Sequence, residues 1–166
     1  MPKSLLSPMR QSIRIAGQIR RSVFHEGWHG PAVLEVLHGL EAAKAGATTP
    51  VANHSIWGLV QHMRCWHEAG LDAIVGKRMP DPEEADRLGW HAIADLSDKN
   101  WEIEIQRFRD SGERLTQLAA TLEDKRLTEQ VPGRAYDIAH MLLGIASHNT
   151  YHCGQIVLLH RYLHLH

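Results

Sequence analysis

The chain has little cysteine, no long apolar run and no excess of charge of either sign, and each shortage removes a class of protein. Two cysteines, Cys65 and Cys153, in 166 residues are too few for a disulfide frame and fit reduced thiols. The N-terminal MPKSLLSPMRQSIRIAG lacks the continuous apolar stretch and small-residue cleavage site of a secretory signal. No run approaches the roughly 18 apolar residues that span a bilayer. A cytoplasmic, soluble chain with no membrane partner is therefore expected, and Asn53-His54-Ser55, although it matches a glycosylation acceptor, carries no meaning there. Lys+Arg 18 against Asp+Glu 19 gives no field to steer nucleic acid, and no basic stripe is interleaved with aromatics. Internal repeats, low-complexity tracts and sustained period-two alternation are also missing. So are a Ser-His-Asp grouping, a Gly-rich phosphate loop and a paired-carboxylate signature.

What the chain has in excess is histidine, 13 in all, which invites metal or proton-transfer chemistry. Helical spacing governs four long segments. The first runs from about Leu5 to Gly27, with Leu5, Met9, Ile13, Ala16, Ile19 and Val23 as one apolar stripe. A short helical piece from Pro31 to Leu40 follows, with proline at its first position. The second long helix starts near Asn53–Ser55 and stops at about Gly76. Residues 77–97 (including MPDPEEADRLG) read as an excursion outside the core, long enough to suggest a functional loop or one ordered by a partner. The third helix opens at Ser97 or Asp98 and carries Trp101, Ile105, Phe108, Leu115, Leu118 and Leu122. Beyond Pro132-Gly133 the fourth covers about Tyr136 to Tyr162. Four such helices in one domain spanning residues 1–166 predict an all-α four-helix bundle, whose order around the axis periodicity does not give.

The fourth helix holds His148-Asn149-Thr150-Tyr151-His152. Histidines at i and i+4 lie one turn apart on one face, and their nitrogens can converge on one ion. The surrounding Met141, Leu142, Ile145, Ile156 and Leu159 place them near the core, where unpartnered imidazoles are unfavourable. The pair alone is a weak signal: a surface pair has the same spacing, and His25/His29 and His160/His164 share it. A third ligand must come from the second helix. His54 sits at its start as a capping neighbour, and His67, rotated about 100° from Trp66, is expected at the edge. His62 shares a face with Leu59 and Trp66, which makes it the best third ligand.

Ser55-Ile56-Trp57-Gly58-Leu59-Val60-Gln61-His62 with Trp66, together with His148 to Leu159 (HNTYHCGQIVLL), resembles the DinB-like (DinB/YfiT-like) superfamily of metal-binding four-helix bundles. Trp28-His29-Gly30-Pro31 and Val131-Pro132-Gly133-Arg134 extend the likeness over nearly the whole chain. The resemblance implies a divalent ion, zinc or nickel, on His62, His148 and His152. It also implies dependence on a low-molecular-weight thiol, because relatives include thiol-dependent S-transferases and an isomerase. Many relatives carry a small or acidic residue where this chain has Cys65, which leaves a role for that thiol open.

Three protein ligands leave the ion an open position, as in catalytic sites. A metal-dependent thiol transferase acting on an electrophile is the favoured reading. A metal-dependent hydrolase and a non-catalytic metal-binding or stress-response module stand as alternatives. Tyr151 and Gln155 are candidates to orient a ligand or bind substrate, or simply to pack. Trp28, Trp57 and Trp66 are candidates for a pocket wall or for core, and His29 for a proton shuttle at the pocket mouth. Exposed apolar helix faces make a homodimer an expectation. No residue is assigned a catalytic role.

Overall fold

A computed structural model describes residues 10–25 and 27–165, with backbone alone at 82 and 86. Among them lie seven α-helices and one 3-10 turn, and no strand. The helices are α1 (Gln11–Val23), α2 (Val33–Leu37), α3 (Ala42–Gly46), α4 (Ile56–Ile74), α5 (Pro82–Gly89), α6 (Asp98–Thr121) and α7 (Ile138–Leu165); Asp124–Thr128 forms the 3-10 turn. No helix among the described residues is long and apolar enough to cross a membrane.

Local chemistry sets the ends. Ser55 Oγ accepts from Gly58 N and opens α4, and Ser97 does the same for α6 through Asn100 N. Both side chains satisfy an N–H that the first turn leaves open. Gly76 takes φ +90 just past α4, a conformation that side-chain-bearing residues resist.

Three expectations are corrected. The first helix ends at Val23 rather than Gly27, and Leu5 and Met9 of its expected stripe lie outside the described residues. Its buried face is Ser12, Ile15, Ala16, Ile19, Ser22 and Val23, with Ile13 exposed, because the i, i+3, i+4, i+7 series runs through Ile15. Pro31 stays outside the short helix, which begins at Val33 after Ala32, whose N–H is held by the Glu35 carboxylate at 2.8 Å. The 77–97 segment also contributes to the core: Met79 and Ala85 are buried, and Met79 N donates to Pro132 O at 3.0 Å.

Each long helix packs against two others. α1 lies beside α6 and α7, and α4 also lies beside α6 and α7. The order around the bundle is therefore α1–α6–α4–α7, with α1 diagonal to α4. Two apolar clusters fill the interior. One centres on Ile19, Leu71, Leu115 and Leu142, the other on Trp57, Phe108, Leu37 and Ile156. α1 and α7 run from the first cluster toward the second, and α4 and α6 run the other way.

At the boundary each long helix places one polar side chain: Ser22 after Ile19, His67 between Met63 and Leu71, Ser111 between Phe108 and Leu115, and Asn149 between Ala146 and Cys153. The four form one buried network. Asn149 Nδ2 donates to Ser22 Oγ at 3.1 Å, which leaves Asn149 Oδ1 to accept from His67 Nε2–H at 3.1 Å; His67 Nδ1 lies 3.0 Å from Ser111 Oγ. With the ring neutral and protonated on Nε2, Nδ1 is left as an acceptor facing the Ser111 hydroxyl, whose single proton is shared between that nitrogen and Phe108 O at 2.9 Å. His67 is thus 0 % exposed, not at the helix edge as its rotation from Trp66 suggested. It continues the inward stripe of Met63, Leu71 and Ile74 at helical spacing.

Candidate metal centre

The α4–α7 contact brings His62, two turns into α4, against His148 and His152 on α7. His148 Nε2 is 3.1 Å from His62 Nε2 and 2.9 Å from His152 Nε2. Among the described residues these three are the one group of three or more His, Cys, Asp or Glu whose ligand atoms lie within 4.8 Å of one another. Two nitrogens each about 2.1 Å from one ion at right angles lie about 3 Å apart, so the spacing suits a shared divalent cation. The other i, i+4 pairs do not build a site. His160 and His164 meet at 3.2 Å, but their neighbour is Lys44 Nζ, 3.4 Å from His164. His25 lies past the end of α1, so helical spacing no longer ties it to His29.

The surroundings set which nitrogen of His152 faces inward. Its Nδ1 is 2.6 Å from Gln155 Oε1, and Gln155 Nε2 in turn donates to Tyr151 Oη at 3.2 Å. Since Oε1 only accepts, Nδ1 carries the proton and Nε2 turns a lone pair toward the cluster. Gln155 is thus an orienting residue, and Tyr151, though exposed, holds it in place. Trp66, one turn beyond His62, donates Nε1–H to His62 Nε2 at 3.3 Å and meets His148 edge-on, with ring centroids 5.9 Å apart. His148 Nδ1 is buried without a hydrogen-bond partner.

The 77–97 segment covers the cluster from outside. Trp90 lies flat on His62, centroids 4.1 Å apart and planes 8° from parallel, and its other side stacks on His54 at 3.5 Å. A Cβ at Gly89 would sit 2.6 Å from His62 Nδ1, so the backbone passes this closely only because residue 89 has no side chain. Sequence reasoning missed Gly89 and Trp90, and the Gly-Trp step that follows the proline- and acid-rich part of the segment was an available signal. His54 is a stacking partner of Trp90, not only a capping neighbour.

Burial makes the charged imidazoles unfavourable. The His148 pKa is pushed down to about 3, first by desolvation and then by repulsion from His152, His62 and His67. His152 is also lowered, chiefly by desolvation, against the opposing hydrogen bond from Gln155. Neutral rings with free lone pairs are the form a metal ion requires.

The remaining candidates lie elsewhere. Trp57 is core, packed on Trp101 at 5.0 Å. Trp28 is 98 % exposed, and with His29 it borders a surface cavity between α1 and α7 that does not include the three imidazoles. Cys65 borders a different cavity of about 370 Å³ with Arg64, Glu68 and Arg78. Desolvation, reinforced by Glu68, raises its pKa, the opposite of an activated thiol. A third cavity, about 220 Å³, touches His148 itself and is walled by Trp66, Met79, Tyr136, Met141 and Ile145.

No curated protein matches the chain significantly. The model of the DinB superfamily matches residues 24–156, a span that holds His62, His148 and His152, most of the bundle and the 77–97 segment. With three imidazoles brought together by α4 and α7 in an all-α bundle, and a family match over most of its length, the chain belongs to the DinB superfamily.

Proposed function

We propose that His62, His148 and His152 together hold one divalent ion, zinc or nickel, and that the centre serves a low-molecular-weight-thiol-dependent transfer to an electrophile. The observation that carries this reading is the convergence of three Nε2 atoms in a group containing no Cys, Asp or Glu. Three neutral ligands leave the ion its full double charge, which lowers the pKa of a thiol brought to it.

The chain's own residues prepare the place for that chemistry. Gln155 holds the His152 proton on Nδ1, Trp90 and Gly89 shield His62 from solvent, and Asn149 ties α7 to the buried network beside His148. The cavity of about 220 Å³ against His148, with Met79, Met141 and Ile145 in its wall, suits the apolar body of an electrophile. Hydrolysis would call for a positioned general base, and the group supplies no carboxylate.

The test has two parts. Tag-free protein is analysed for metal, with about one divalent ion per chain expected. The loaded protein is then incubated with a panel of small thiols and a general electrophile, and adducts are followed by mass spectrometry. A metal-dependent adduct is expected with at least one thiol. Ester or amide hydrolysis without any adduct would replace the reading with a metallohydrolase, and metal binding with neither activity would replace it with a binding module. Protein that neither carries nor accepts metal would end it.

A further inference from the structure

The Trp66 indole is aimed at an atom that the proposed site needs for something else. Its Nε1–H donates to His62 Nε2 at 3.3 Å, and that nitrogen is one of the three converging ligand atoms. An imidazole nitrogen has one lone pair, and it cannot serve both a cation and an indole N–H. An indole nitrogen is donor-only, so once the lone pair is taken Trp66 needs another acceptor or leaves a half-buried donor unsatisfied. The side chain is held in place: it is packed edge-on against His62 and His148, with centroids 6.3 and 5.9 Å away, and it walls the cavity that touches His148. The other hydrogen-bonding side chains of that cavity, Tyr136 and His140, are stacked on each other at 5.1 Å.

We propose that Trp66 is a specificity-determining residue that exchanges His62 Nε2 for an anionic ligand, donating its N–H to the thiolate sulfur that faces the three imidazoles. The inference rests on the metal reading above and adds to it a selectivity for anions. A donor-only group beside an open position favours a thiolate, or another anion, over a neutral thiol, and it disfavours any group that brings its own donor. It also makes metal and anion binding cooperative, because the ion breaks the Trp66–His62 hydrogen bond and thereby frees the donor the anion uses.

The experiment loads the full chain with cobalt(II), whose absorption reports anion binding, and titrates it with thiocyanate and with 2-mercaptoethanol. Trp66→Phe keeps the aromatic wall and removes the donor. Cobalt affinity, read by competition with a chromophoric chelator, should stay within about threefold of the unaltered protein or rise, since the competing hydrogen bond is gone. Affinity for thiocyanate, and for 2-mercaptoethanol bound as its thiolate with its proton released to solvent, should fall about tenfold, the size of a lost hydrogen bond to a charged partner. In the unaltered protein, the ¹⁵N-labelled Trp66 indole resonance should shift on loading with diamagnetic zinc and shift again on anion addition. That second readout stands even if Trp66→Phe folds poorly. Cobalt binding with unchanged anion affinity in Trp66→Phe, or an indole resonance indifferent to the anion, overturns this inference alone. Failure of the unaltered protein to bind cobalt or zinc overturns the metal reading, and this inference with it.

Discussion

His67 should make the protein acid-sensitive in a defined window. Its ring is fully buried, and desolvation lowers its pKa from 6.5 to about 4 against the opposing hydrogen bond from Asn149. The unfolded chain therefore takes up a proton near pH 6.5, while the folded chain resists until about pH 4. Stability from this group is complete above pH 6.5, falls as pH drops through the interval, and is lost below pH 4. Linkage gives a loss of about 2 kcal/mol between pH 8 and pH 5, and about 3 kcal/mol in all, from this side chain. At 166 residues, 2 kcal/mol corresponds to about 4–8 °C in Tm. His67→Gln replaces the ring with a side chain that does not titrate. It should be less stable than the unaltered protein at pH 8 by about 1–3 kcal/mol, because the network loses a fitted partner. From pH 8 to pH 5, however, it should lose about 2 kcal/mol less than the unaltered protein does. Urea unfolding of chelator-treated protein at pH 8, 7, 6 and 5 measures both, and treating every sample alike removes metal linkage from the comparison. Parallel pH profiles for the two proteins would refute the assignment of His67 as a buried neutral ring.

His148→Ala and His152→Ala should each lose most of the bound metal by elemental analysis, since two imidazoles hold an ion far less well than three. Chelation should lower the Tm of the loaded protein by several degrees, because an ion at a hundredfold excess over its Kd adds about 2.7 kcal/mol; an unchanged melt would count against the site. Acid release of the metal should need a lower pH than free imidazoles require, because His148 and His152 both titrate below their ordinary value; a release midpoint at or above 6.5 would contradict this. Gln155→Ala should weaken metal binding about 10–100-fold by removing the acceptor that fixes the His152 tautomer, as read by chelator competition. In the thiol assay His62→Ala should abolish transfer, while Cys65→Ser should leave it largely intact, since the Cys65 thiol lies outside the cluster and its pKa is raised.

The sequence determined most of the long helices and the faces of two of them. Ser55 and Ser97 mark the starts of α4 and α6, and the spacing of His148 and His152 puts both on one side of α7, because helical periodicity is a property of consecutive residues alone. What periodicity does not carry is which helix lies across from which. The order α1–α6–α4–α7 was unreadable, and with it the reason His62 and not another α4 histidine reaches the pair on α7. His67 shows the limit most clearly. Judged from its rotation relative to Trp66 it belonged at an edge, yet a bundle buries α4 from two sides, against both α6 and α7, so the inward arc is wide enough for His62 and His67 together. Its partners Ser22, Ser111 and Asn149 come from three other helices and meet only once the four are packed. The same holds for Trp90, which is 28 residues from His62 in sequence but stacked on it in space. A segment rich in prolines and acids reads as an excursion outside the core, long enough to suggest a functional loop, and only the tertiary fold turned it into the wall of the site, because no local pattern encodes a contact made by a chain returning from its own excursion.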